Sequence, residues 1–102
     1  MSITNMNDYI NNLIKSKSVD LNQCAFCGEK PTILFKVTPA TEEVNFMLYH
    51  PCKNPVKSPA LEYKLANKTT INKINNNLGI VNEILDLLIV SWNKDVFTKC
   101  QK

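Results

Sequence analysis

Cys24 and Cys27 stand with two residues between them and are followed directly by Gly28. That spacing lets two thiolates curl onto one ion, and a glycine after the second permits the tight turn that brings them round. After residues 28–49 comes a second pair, His50-Pro51-Cys52. Thiolates and a neutral imidazole are the ligands a tetrahedral zinc ion takes, at about 2.3 and 2.0 Å. One intervening residue is a short gap for a second pair. The proline stiffens it, however, and a histidine side chain reaches farther than a cysteine. A cysteine pair, a hairpin-length connection and a second pair together predict a structural zinc site on Cys24, Cys27, His50 and Cys52. Cys100 is the alternative to His50 as fourth ligand. A redox Cys-x-x-Cys would open a helix after a strand, whereas this one leads into Gly28-Glu29-Lys30-Pro31 and a strand.

The same inventory argues against catalysis. The single histidine is assigned to metal, which leaves no base to activate a serine or cysteine. Two glycines, Gly28 and Gly79, cannot build a glycine-rich phosphate loop. Four protein ligands close a zinc ion to substrate. Glu42-Glu43 and the Glu83/Asp86 pair read as solvated charges. We therefore expect no enzyme.

The net charge of +3 comes from lysine alone, because the chain contains no arginine. Arginine is the usual reader of guanine edges, so sequence-specific DNA recognition is disfavoured while phosphate attraction stays open. Lys53, Lys57, Lys64, Lys68 and Lys73 stand against Glu62 alone and make residues 53–73 the basic end of the molecule. These lysines are the candidate nucleic-acid contacts. Phe26, Phe35, Tyr49 and Tyr63 are aromatic rings that could stack on bases.

The elements that must position these side chains follow from periodicity. Residues 3–17 read as an amphipathic helix, with Ile3, Met6, Ile10 and Leu13 at spacings of three and four and Ile14 widening the stripe. Thr32 to Val37 and Glu43 to His50 alternate with a period of two and read as a β-hairpin. Val44, Phe46, Leu48 and His50 share its inward face. Three prolines make residues 51–60 an irregular crossing, and Leu61 to Ala66 is open between a third strand and a helical turn. Ile71, Ile74, Leu78, Val81, Leu85, Leu88 and Trp92 then step by three and four in an unbroken heptad seam. That seam predicts one helix from about Thr70 to about Phe97, capped by Thr69 or Thr70 and roughly 40 Å long. So long a helix needs cover, either from the N-terminal helix packed antiparallel along it or from a second copy of the chain. The expected fold class is α+β: one domain over residues 1–102, with an N-terminal helix, a zinc-ribbon-like hairpin and a long C-terminal helix.

Cys24-Ala25-Phe26-Cys27-Gly28-Glu29-Lys30-Pro31 resembles the opening knuckle of small zinc-ribbon proteins. In particular it is similar to the restriction-alleviation family of phages and prophages, whose members open with Cys-Pro-Phe-Cys-Gly, continue through a hairpin and close with a second cysteine pair. The resemblance spans Cys24 to Asn54; Ala25 replaces the family's proline, and His50-Pro51-Cys52 replaces its second Cys-x-x-Cys. It implies a zinc ribbon and a role in countering host restriction.

Residues 1–9 lack the basic start and apolar stretch of a secretory signal, and the longest apolar run, Ile84 to Val90, is interrupted by Asp86 and falls short of the roughly 18 residues needed to span a bilayer. Both features predict a cytoplasmic protein, in the host cytoplasm if it is viral, where four cysteines favour metal over disulfides. The functional expectation is a zinc-binding protein-interaction module. It would act as an inhibitor of a host defence or transcription complex, as a homodimer where the seam is covered by a second copy of the chain. The alternative is a zinc-ribbon protein that binds nucleic acid without sequence specificity.

Overall fold

The computed structural model describes residues 3–24, 28–52 and 61–94. Helix α1 covers Ile3–Lys17, as the apolar stripe predicts. Met6 and Ile10 are fully buried, and Leu13 and Ile14 pack against the core. A single 3₁₀ turn, Ser18–Asp20, follows.

Strands β1 (Thr32–Thr38) and β2 (Glu43–Cys52) form the expected antiparallel hairpin, with Ile33 opposite Leu48 and Phe35 opposite Phe46. The Phe35 and Phe46 rings stack at 6.2 Å between centroids. Residues 39–42 close the hairpin. Glu42 there takes φ 57°, and its carbonyl accepts a hydrogen bond from the Ile71 amide. Val44, Phe46, Leu48 and His50 are all buried on one face.

The stretch left open in the sequence is a full third strand, β3 (Leu61–Thr70), antiparallel to β2. The sheet therefore has the order β1-β2-β3. Thr70 both ends β3 and caps α2 (Ile71–Asn76), its hydroxyl accepting from the Lys73 amide.

The single long helix is corrected by the structure. It is divided at Asn77-Leu78 into α2 and α3 (Gly79–Lys94). Asn77 is extended at φ −154°, ψ 96°, and its side-chain oxygen accepts from the Gly79 amide, restarting the helix. A run of three asparagines, residues 75–77, offers side-chain bonds that compete with the helical ladder, and Gly79 weakens propagation further. At sixteen residues, α3 is about 24 Å long, against the roughly 40 Å expected of one unbroken helix. The region beyond Lys94 lies outside the described residues.

The heptad seam faces inward. Ile74, Val81, Leu85, Leu88 and Trp92 are buried, while Ile71 and Leu78 pack at the core margin. Cover comes from this chain's own α1 and sheet. The helix pairing is nevertheless parallel, not antiparallel. Tyr9 donates its hydroxyl to the Leu78 carbonyl at 3.4 Å, and Lys17 meets Asp86 at 2.6 Å, so both helices run the same way. Counting traverses gives the reason. Helix α1 runs toward one end, β1 away, β2 back and β3 away, so α3 must return in the direction of α1. A two-stranded hairpin would have reversed it.

Both helices lie on the face of the sheet that carries Ile33, Phe46 and Leu48. Among the described residues, no helix packs on the other face.

Candidate metal centre

Leu21, three residues before Cys24, is buried. Cys24, only 2% exposed, then folds into a tight turn. Its carbonyl accepts from the Gly28 amide at 2.8 Å, and its amide donates to the Glu29 carbonyl at 2.8 Å. Gly28 sits at φ +81°, in the left-handed region that suits glycine. No heavy atom would meet a Cβ there within 4 Å, so the glycine is needed for its backbone and not for space. Two backbone bonds thus join Cys24 to Gly28 and Glu29.

His50 arrives from the other side. It is 2% exposed, on the inward face of β2, with its ring edge-on to Trp92 at 5.4 Å between centroids. Burial holds its pKa below the ordinary 6.5, and the nearby Glu29 carboxylate opposes that shift. A neutral imidazole is the form that offers a lone pair to a metal. Glu29 belongs to the turn that starts at Cys24.

Trp92 and Asn93 fasten the loop before Cys24. The Trp92 indole N–H donates to the Asn22 carbonyl at 2.8 Å. Asn93 grips the same loop twice: its Nδ2 donates to the Asp20 carbonyl and its Oδ1 accepts from the Asn22 amide, both at 2.9 Å. The Tyr63 ring, paired with His50 across the strands, also meets the indole edge-on at 5.0 Å. The last turn of α3 is therefore a clamp on the strand of chain that delivers Cys24. The heptad spacing places Trp92 in the seam and does not single out Asn93. The available signal was a tryptophan, whose N–H must find an acceptor when buried, next to a residue able to bond backbone in both senses.

Cys27 lies outside the described residues, as do the side chain of Cys52 and all of Cys100. The Cys52 backbone ends β2, two positions beyond His50 and opposite Leu61. Among the described residues, no three His, Cys, Asp or Glu side chains gather at one point. The described donors, Cys24 and His50, suit zinc in chemistry: both are buried at the Trp92 end of the molecule, and the imidazole is held neutral.

The basic residues divide similarly. Lys53 and Lys57 lie outside the described residues. Lys64 and Lys68 are exposed on the open face of β3, and Lys73 is exposed on α2. Lys64 stands over the Tyr49 ring, 5.6 Å from its centroid, and Lys68 meets Glu43 at 3.4 Å. Tyr63 and Phe35 face the core side of the sheet, so of the possible base-stacking rings among the described residues only Tyr49 lies on the open face.

Comparison with protein-family profiles, with curated proteins and with solved structures finds no match to this chain. No helix among the described residues is long and apolar enough to cross a membrane.

Proposed function

We propose that this chain is a zinc-clamped, non-catalytic binding module, in which Cys24, Cys27, His50 and Cys52 hold one structural ion. The observation that carries the reading is the knuckle turn: Cys24 buried, Gly28 left-handed, two backbone bonds closing the loop, and a buried neutral His50 delivered to the same end. Zinc there would tie the loop before β1 to the end of β2. In a domain of 102 residues such a tie contributes directly to folding. The non-catalytic reading is supported by the position of the one histidine, packed under Trp92 away from solvent.

The resemblance of Cys24–Asn54 to the restriction-alleviation proteins supplies the biological role we favour, interference with a host defence or transcription complex. The partner surface must lie away from the heptad seam, whose side chains the chain spends on its own core. The outward sheet face with Lys64 and Lys68 is exposed, which supports an anionic partner.

Native mass spectrometry with and without a chelator tests the metal directly. One zinc per chain, lost on chelation with a clear fall in melting temperature, is the expected result. Cys24→Ser, Cys27→Ser and Cys52→Ser should each reproduce the chelated state. A metal-free protein that melts the same with and without chelator would overturn the zinc assignment.

A further inference from the structure

The face of the sheet turned away from the helices is organised in rows fixed by strand register. One row is Leu34, Met47 and Ala66, and it is apolar. Leu34 is 46% exposed, although it sits mid-strand. An open cleft of about 460 Å³ lies over this row, bounded also by Lys36 and Asn45. The next row in one direction is Lys36, Asn45 and Lys68; in the other it is Thr32, Tyr49 and Lys64. Two cationic rows thus flank an apolar one.

The dimensions are those of a narrow track. Lys36 and Lys68 rise from the outer strands on either side of Asn45, with backbones about 10 Å apart. Lys64 lies four residues from Lys68 along β3, about 13 Å away. Two acidic residues share this face by register: Glu62, opposite Pro51, and Glu43, whose contact with Lys68 is long and well exposed. An exposed pair of that kind is worth at most about 1 kcal/mol, so a phosphate can displace it.

We propose that this open face binds single-stranded nucleic acid without sequence preference, with the backbone phosphates on Lys36, Lys64 and Lys68 and base planes against Leu34, Met47 and the Tyr49 edge. The proposal rests on the binding-module reading and names its partner. Charge complementarity requires an anionic ligand, and the apolar central row requires one that presents flat hydrophobic surface between its charges. Unpaired bases do so, whereas a duplex offers mainly sugar and phosphate. With no arginine in the chain, the bidentate guanine contact is absent, so the binding is indifferent to sequence.

The test uses the full zinc-loaded chain and fluorescence anisotropy with a labelled oligothymidylate of about a dozen nucleotides. Three phosphate contacts predict that log K falls against log salt with a slope of about −2. Lys36→Gln, Lys64→Gln and Lys68→Gln should each flatten that slope by about 0.7, whereas Lys15→Gln on α1 should leave it alone. Leu34→Ser should weaken binding at every salt concentration without changing the slope. Three results would overturn the proposal: no binding at low salt, a duplex of equal length bound as tightly, or displacement of the oligonucleotide by polyglutamate of equal charge. The last would give the face to an acidic protein. Zinc content measured on the same samples keeps the two readings apart, since metal without oligonucleotide binding refutes only this one and binding without metal refutes only the other.

Discussion

Replacing Trp92 with phenylalanine tests whether the end of α3 is a clamp or merely core. Trp92 has no exposed surface, and its indole N–H makes the 2.8 Å bond to the Asn22 carbonyl. Phenylalanine keeps an aromatic ring against His50 and Tyr63 but removes the donor and part of the volume. Losing the hydrogen bond and leaving the Asn22 oxygen without that donor costs about 1–2 kcal/mol. The smaller ring adds a cavity cost of about 1 kcal/mol, giving a total of about 2–3 kcal/mol. A chain this size has roughly 5–15 kcal/mol of stability to lose from. Urea unfolding with and without chelator should be followed by far-UV circular dichroism, because Trp92 is the sole tryptophan and its fluorescence goes with it. With a urea m-value of about 1–2 kcal/mol/M, the midpoint should fall by at least about 1 M. Asn93→Ala, which removes two bonds to the same loop without touching the core, should give about half that shift. If clamp and metal act on the same loop, both variants should also bind zinc more weakly. Unchanged zinc affinity in both, with only Trp92→Phe destabilised, would refute the clamp and leave Trp92 as core packing alone.

Two further outcomes follow from the buried side chains. Because burial keeps the His50 pKa below 6.5 in the folded chain, the unfolded chain takes up the proton first. The contribution of His50 is therefore complete above pH 6.5 and is lost as pH falls below it, by at most about 1.4 kcal/mol per pH unit. Urea midpoints of chelated protein between pH 7.5 and 5.5 should show this decline, and His50→Gln should flatten it; equal slopes in the two proteins would contradict the burial argument. Leu85, fully buried in the seam, should not tolerate aspartate. Leu85→Asp is expected to cost upwards of about 3 kcal/mol and to unfold the monomer, seen by circular dichroism. A folded variant that had merely lost a dimer by size-exclusion chromatography would place the seam between chains instead.

Much of the fold was legible because local period and local chemistry agree. The three-and-four spacing from Met6 to Ile14 had one helical solution, and the alternation in Ile33–Val37 and Val44–His50 had one strand solution with His50 pointing inward. Cys24-x-x-Cys27-Gly28 announced a turn that only glycine could complete, and Gly28 takes the left-handed φ it needs. Where the sequence reading failed, two local preferences were balanced. The heptad from Ile71 to Trp92 kept its phase across Asn75-Asn76-Asn77, so the apolar pattern gave no sign that the backbone breaks there and restarts on the Asn77 side chain.

The sequence by itself determined the secondary elements, the inward face of the hairpin and the residue types suited to a zinc site. Tertiary structure alone decided the direction of α3, because that depends on how many strands intervene. β3, ambiguous in sequence and fixed by pairing with β2, turned an antiparallel helix pair into a parallel one. The same reversal carried Trp92 and Asn93 to the knuckle end, where they hold the loop that delivers Cys24, and it folded the heptad seam onto the chain's own sheet. It also settled which lysines share a surface. Lys36 and Lys68 are 32 residues apart in sequence and meet across Asn45 only because strand register puts them there.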